Sequence, residues 1–260
     1  MLARQKLKRV YENGLTFLHS VKPFKKQGIV ILLYHNIGNG NVIASKKQFE
    51  EQMIFLKDNY RILKLDELIS VLKNNEATNG NYAAVTFDDG YRDNFEIAYP
   101  VLMRLNIPAT LYLSPGFLDS SDAKYLTWDM VKEMVKSGLI SVGNHAYSHP
   151  VLSELKKEAQ EHEIKSGKQR LEDMLNIEIT SFAYPYGQIT HYSKDTIDIL
   201  KKNGYDFAVT AFSKKNNNLP GSIYEIPRIP IDGVKSLEEF EIRLSNFWGT
   251  IQWHLTRSKR

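Results

Sequence analysis

Along the chain, apolar and polar positions form two alternating kinds of segment. Seven short stretches rich in β-branched and aromatic residues, bounded by polar or Gly/Pro punctuation, fall at 29–37, 82–88, 109–114, 139–144, 181–186, 207–212 and 223–231. These predict strands. Around and between them, apolar residues recur at helical spacing over 46–59, 65–74, 92–105, 128–137, 153–176, 192–203 and 236–248. Strands alternating with helices build parallel βα units, because a crossover of that length is what returns the chain to begin a parallel neighbour. The expected fold class is α/β, a distorted (β/α)7-type barrel of parallel strands, with an open doubly wound sheet as the alternative. The stretches 73–81 (KNNEATNGN) and 214–221 (KKNNNLPG) read as loops.

The pattern also divides the chain. Residues 1–28 form a basic, partly amphipathic segment, 29–235 the barrel, and 236–260 a C-terminal helix with a basic tail. At 260 residues, with 42% hydrophobic and 25% charged residues, there is material for one large core. The absence of cysteine excludes disulfide scaffolds, thiolate metal sites and cysteine nucleophiles. A net charge of +4 predicts no nucleic-acid partner. The positive charge is instead concentrated at the ends. Arg4, Lys6, Lys8, Arg9, Lys22, Lys25 and Lys26 interleave with apolar residues near the start, and Phe240, Phe247, Trp248, Ile251 and Trp253 precede Arg257, Lys259 and Arg260. Such segments suit an anionic membrane surface, or else pack on the barrel as outer helices. No secretory signal or membrane span is read. The expected location is bacterial, in the cytoplasm or on the inner face of its membrane, rather than outside the cell.

Loops leaving the C-terminal ends of parallel strands build barrel active sites, so polar residues there are the candidates. The strand AAVTFDDG, 83–90, ends in Asp88, Asp89 and Gly90. Adjacent carboxylates at the end of a buried strand need a cation nearby, or else they cap the helix that follows near Tyr91. A second cluster, GNHAYSHP at 143–150, places His145 and His149 four residues apart before Pro150, so that a single turn can aim both imidazoles at one point. Two histidines with a carboxylate make a three-ligand site with open positions, as catalytic zinc and related metals require; on their own, the same histidines also fit structural roles. SFAYPYGQ, 181–188, and ILLYHNIG, 31–38, end two further strands and offer Tyr186 and His35.

TFDDGYRDN, HAYSH and FAYPYG resemble, in order and spacing, the motifs of the polysaccharide deacetylases that share the NodB homology domain, carbohydrate esterase family 4. The resemblance covers roughly residues 29–232. With LLYHNI ahead of TFDDG, it is similar to the branch that deacetylates poly-N-acetylglucosamine, in which the motif order is circularly permuted. The resemblance implies one divalent metal ion on Asp89, His145 and His149, with Asp88 as general base and His35 as general acid. It also implies an oxyanion contact from the N–H of Tyr186, next to Pro185, and Trp128 lining the sugar pocket. Ala183 stands where the family's third motif carries an arginine that orients the base, and Arg228 in EIPRIPI is the residue that would replace it. Zinc is the first expectation for the metal, with cobalt, nickel, manganese and iron open. The implied substrate is an N-acetylated amino sugar, polymeric or lipid-linked. The alternatives are a barrel that binds carbohydrate without chemistry and a metal hydrolase of a non-sugar amide.

Overall fold

The computed structural model describes residues 28–38, 44–74, 80–211, 222–234 and 236–245. Most of the basic N-terminal segment, the 214–221 loop and the tail carrying Phe247, Trp248, Ile251, Trp253 and the final basic residues lie outside them. In chain order the elements are β1 (Ile29–Tyr34), α1 (Lys46–Asn59), β2 (Arg61–Ile62), α2 (Leu65–Lys73), β3 (Tyr82–Asp88), α3 (Tyr99–Leu105), β4 (Ala109–Leu113) and α4 (Pro115–Asp119). There follow α5 (Trp128–Lys136), β5 (Ile140–Asn144), α6 (Lys157–Leu175), β6 (Ser181–Ala183), α7 (Lys194–Lys202), β7 (Phe207–Thr210), β8 (Ile226–Pro227), β9 (Ile229–Pro230) and α8 (Leu237–Arg243).

Strand order is β8-β7-β6-β5-β4-β3-β1-β9, with β2 added beside β3. Every named pairing is parallel. The two ends of this path, β8 and β9, are consecutive in the chain and separated only by Arg228, so one five-residue segment, IPRIP, bridges β7 to β1 and nearly closes the barrel. Pro227 and Pro230 have no N–H to give a ladder, which is why the expected strand over 223–231 appears as two short pieces.

Side-chain alternation separates two cores. On β3, Ala83, Val85 and Phe87 join Val30, Leu32 and Tyr34 of β1 in the layer beneath the outer helices. Ala84 points the other way and packs in the barrel with Ile31, Tyr112, Ala183, Phe207, Val209 and Ile226. Helix α2 plugs that interior with Leu65, Leu68 and Ile69. The same alternation carries Thr86 and Asp88 inward above Ala84, so the last inward residue of β3 is an acid.

Several expected boundaries move for local reasons. The stretch at 181–186 leaves the ladder after Ala183, because Tyr186 and Gly187 adopt left-handed backbone after Pro185. The helix expected over 92–105 begins as a π-helical turn, Asn94–Ala98, before α3. The one expected over 153–176 splits into a 3-10 turn, Leu152–Glu154, and α6, since Leu155 is extended. Helix α4 and strand β2 are additional elements too short to show periodicity. Of the aromatic residues assigned to the C-terminal segment, Phe240 is buried, edge-on to Phe55 of α1 at 6.0 Å between ring centroids. Among the described residues no helix is long and apolar enough to cross a membrane.

Candidate active site

The site lies where β3, β5, β6 and the IPRIP segment end. Asp88 closes β3 in extended backbone, whereas Asp89 (φ 70°) and Gly90 (φ 74°) are both left-handed. Two such residues in succession break the strand, so neighbouring carboxylates that would point to opposite faces reach the same side. Asp tolerates this region better than most residues with a Cβ. The pair does not cap a helix; the next helical turn starts only at Asn94.

Asp89, His145 and His149 converge. One ligand atom from each lies within 4.8 Å of the others, with Asp89 Oδ1 3.5 Å from His145 Nε2 and 3.3 Å from His149 Nε2. His145 Nδ1 sits 2.7 Å from the Ala183 carbonyl oxygen. A carbonyl only accepts, so Nδ1 carries the proton and Nε2 presents its lone pair to the cluster. Metal-ligating histidines are held in this way by backbone carbonyls. Asp89 Oδ1 is buried and has no hydrogen-bond partner among the described residues. An ionised oxygen in that position is costly unless a cation takes it up. Burial, with the neighbouring His145 adding to it, pushes His149 down to about 4, which keeps its imidazole neutral and able to ligate. The donor set thus fits a divalent metal.

Asp88 is held separately. Arg228, fully buried, donates NH1 to Asp88 Oδ1 and NH2 to Oδ2, both at 2.6 Å. Two further donors go to the Thr210 carbonyl (Nε, 3.1 Å) and Thr86 Oγ1 (NH1, 3.0 Å), and Tyr112 lies under the guanidinium at 5.3 Å. This fork-to-fork pair fixes the plane of the carboxylate. Burial alone would raise the Asp88 carboxyl, but the charge of Arg228 and its hydrogen bonds hold it below its ordinary value. Asp88 Oδ2 lies 3.8 Å from His145 Nε2, beside the cluster of Asp89, His145 and His149.

His35 follows β1 and faces Asp232, Nδ1 to Oδ1 at 3.5 Å. Burial lowers its pKa, but the Asp232 contact and the charges of Asp88, Asp89 and Asp232 outweigh that, and the net shift is upward. The loop bearing His35 is pinned from the π-helical turn: Asn94 Nδ2 donates to the His35 carbonyl at 2.7 Å. Tyr186 stands at the mouth, 53% exposed, with its ring edge-on to His149 at 4.6 Å. Its backbone is left-handed (φ 60°), and no hydrogen bond engages its N–H among the described residues. Pro185 is buried beneath it. Gly187 secures the turn, since a Cβ there would come within 2.3 Å of the Ala211 nitrogen.

Trp128 begins α5. Its Nε1 donates to Asp119 at 2.9 Å and its ring lies under Arg170, while the rings packed on His149 are those of Tyr186 and Phe117. Sequence reasoning missed Asp232, Asn94 and Phe117. Asp232 carried a signal, an Asp-Gly turn after an apolar strand; Asn94 lay unused within TFDDGYRDN.

With this geometry in place, comparison with known proteins decides the family. A family model described as "Polysaccharide deacetylase" matches residues 75–208. The YxkH protein of Bacillus subtilis is 33% identical over 192 residues, 73% of this chain and 67% of its own. The chain belongs to the polysaccharide deacetylase family. Another relative within reach of that family assignment is the poly-β-1,6-N-acetyl-D-glucosamine N-deacetylase of Staphylococcus aureus, 27% identical with 80% of each chain covered. Among solved structures, the Streptococcus pyogenes deacetylase PplD in complex with acetate superposes with a TM-score of 0.74 at 29% identity, over 85% of this chain and 100% of PplD.

Proposed function

We propose that this chain is a metal-dependent carbohydrate N-deacetylase, hydrolysing the N-acetyl groups of an N-acetylglucosamine polymer. The observation that carries the reading is the pairing of two unlike acids on adjacent residues. Asp89 has a buried oxygen between two imidazoles with no hydrogen-bond partner among the described residues, and Asp88 is clamped by a buried arginine. A structural ion pair would need only the second. The polymer is suggested by the activity named for the Staphylococcus aureus relative.

Asp89, His145 and His149 are the residues that would hold the ion, zinc in the first instance. When bound, such an ion supplies Lewis-acid polarisation of an amide carbonyl and acidifies water. The protein groups do the remaining work. Asp88, kept ionised and oriented by Arg228, takes the proton of the attacking water on Oδ2, the oxygen beside the cluster. The Tyr186 N–H is free to meet the oxyanion, a kind of donor worth about 3–4 kcal/mol in the transition state. His35 turns Nδ1 to Asp232, which leaves Nε2 to deliver a proton to the departing amine. Tyr186 and Phe117 flank His149 and supply apolar faces for a sugar ring or acetyl group.

The test is release of free amine from N-acetylglucosamine oligomers, run beside metal analysis of the same preparations. Asp89→Ala is expected to lose both metal and turnover, and Asp88→Asn to keep metal and lose turnover by about 10²–10⁴, the usual worth of a general base. Full turnover in Asp88→Asn would refute the base assignment. Stoichiometric metal with no amine released from any acetylated sugar would return the carbohydrate-binding alternative, and release from non-sugar amides alone the other. A lipid-linked substrate at an anionic membrane rests on the terminal segments; cosedimentation of the full chain with anionic vesicles at low salt tests it.

A further inference from the structure

On one side, the loop that carries His145 and His149 is held by one face of helix α6. Asn144, immediately before His145, donates Nδ2 to the Ile164 carbonyl at 2.9 Å. Gly167 admits that side chain: a Cβ there would meet Asn144 Oδ1 at 2.5 Å and the Ala146 carbonyl carbon at 3.0 Å. Tyr147 N–H donates to the Glu163 carbonyl at 3.1 Å. The Glu163 carboxylate then takes both donors of Ser148, the backbone N–H on Oε2 and the hydroxyl on Oε1, each at 2.8 Å. Residues 163, 164 and 167 lie on one side of a helix, so the loop rests on a single rigid surface.

His149 follows this grip directly. Its φ is 60°, and Ala146, three residues earlier, has φ 62°. Neither is glycine, so the left-handed turns persist only where surrounding contacts impose them. On the opposite side the β4–α4 turn supports it: His145 N–H donates to the Leu113 carbonyl at 2.9 Å, the Ser114 hydroxyl donates to the His145 carbonyl at 2.8 Å, Gly116 N–H donates to the Tyr147 carbonyl at 2.8 Å, and the Tyr147 hydroxyl reaches Asp119 at 3.3 Å. The Glu163 carboxylate holds both the Tyr147–Ser148 peptide and the Ser148 side chain, one residue before His149.

We propose that Glu163 is a positioning residue for metal binding: by clamping both donors of Ser148 it holds the backbone of His149 so that Nε2 faces Asp89. The proposal rests on the reading of Asp89, His145 and His149 as metal ligands. It assigns to Glu163, which touches neither metal nor substrate, a share of the metal affinity. Groups that orient ligands in this way are commonly worth about 10- to 100-fold in affinity.

The experiment measures zinc and cobalt dissociation constants of the full chain by competition with a chromophoric chelator, beside thermal unfolding of the metal-free protein. Glu163→Ala is expected to weaken binding by about 10- to 100-fold. Glu163→Gln is expected to recover most of it, because the carboxamide oxygen accepts from Ser148 N–H while its NH2 donates to the Ser148 hydroxyl. A purely structural Glu163 would lower the metal-free unfolding temperature and leave the dissociation constants alone; that result overturns the proposal while metal binding itself stands. If the wild-type chain binds neither ion, the metal reading fails instead. Should Glu163→Ala not fold, Ser148→Ala carries the test. It removes one clamp bond and should weaken metal binding by about 2- to 10-fold, the net worth of one hydrogen bond; unchanged affinity there overturns the proposal.

Discussion

Replacing Arg228 with methionine tests the link between barrel closure and chemistry. The guanidinium makes two bonds to Asp88, one to Thr86 and one to the Thr210 carbonyl. Two of these losses are small. The Thr210 carbonyl still accepts from the backbone N–H of residue 228 at 3.2 Å, and the Thr86 hydroxyl still donates to the Leu32 carbonyl at 2.7 Å. What remains is Asp88, with a side chain only 4% exposed and its cation gone. Removing one partner of a buried pair typically costs about 3–5 kcal/mol, a large part of the ~5–15 kcal/mol stability of a domain. Asp88 answers by taking up a proton, since burial alone raises its carboxyl. Its folded pKa then lies above the unfolded value, so the destabilisation is fullest at neutral pH and shrinks as the pH falls toward about 4. A protonated Asp88 is also no base, and turnover should fall by about 10²–10⁴. Urea unfolding at pH 7 in excess chelator measures the stability term. Asp88→Asn combined with Arg228→Met should regain most of it, because no buried charge is left. A loss under about 1 kcal/mol, the level of an exposed ion pair, or a double variant no more stable than Arg228→Met, would refute the argument.

Three further outcomes follow from neighbouring residues. His35 must be protonated to act as acid, and Asp232 is the chief influence raising its pKa against burial; Asp232→Asn should therefore move the basic limb of the kcat/KM profile to lower pH, and an unmoved limb would exclude His35 as the acid. Asp93 is pushed up to about 6, first by burial and then by the charge of Glu96, against a hydrogen bond from the Ile37 backbone. A raised carboxyl favours the fold while protonated and loses that contribution as the pH rises from about 4 to 6; Asp93→Asn should thus match wild type in Tm near pH 4 and exceed it at pH 8. Gly187→Ala should lower stability by about 1–3 kcal/mol, as overpacking does. Its methyl collides with Ala211, and because the shift carries the Tyr186 N–H with it, kcat in the folded fraction should drop as well.

The seven strand-forming stretches were legible because parallel strands buried on both sides read as apolar runs whatever their neighbours do. Their ends were not. Where β6 stops depends on left-handed turns at Tyr186 and Gly187, and β2 consists of two residues whose only claim to be a strand is the pairing with β3. Asp88, Asp89, His145 and His149 stood out as polar residues at the ends of apolar runs. Arg228 could be named but not placed: whether an arginine 140 residues from its partner is buried or solvated depends on how IPRIP closes the barrel, and nothing local to IPRIP encodes that. Glu163 and Asn94 were invisible for another reason. Each acts by holding a backbone rather than by its own chemistry, and a polar side chain on a helical segment looks the same whether it grips a loop or faces water.

The groups that face one another at the barrel mouth are delivered by interruptions of regular structure. Asp89 is left-handed after β3, Ala146 and His149 after β5, and Tyr186 after β6; Arg228 occupies the gap between two proline-ended pieces of strand. For residues with a Cβ, each left-handed turn costs about 1–3 kcal/mol unless surrounding contacts over-determine it. For the histidine loop such contacts come from α6 and from Leu113, Ser114 and Gly116 of the β4–α4 turn, and for the turn after β6 from Ala211 beside Gly187. Strand alternation alone would place at most one of Asp88 and Asp89 in the barrel. The break at Asp89 admits both and separates their work, since Asp88 remains in the strand, paired with Arg228, and Asp89 is turned toward the two imidazoles. The two acids therefore meet different partners because they differ in backbone conformation, and exchanging those partners would take a change of backbone and not merely of side chains.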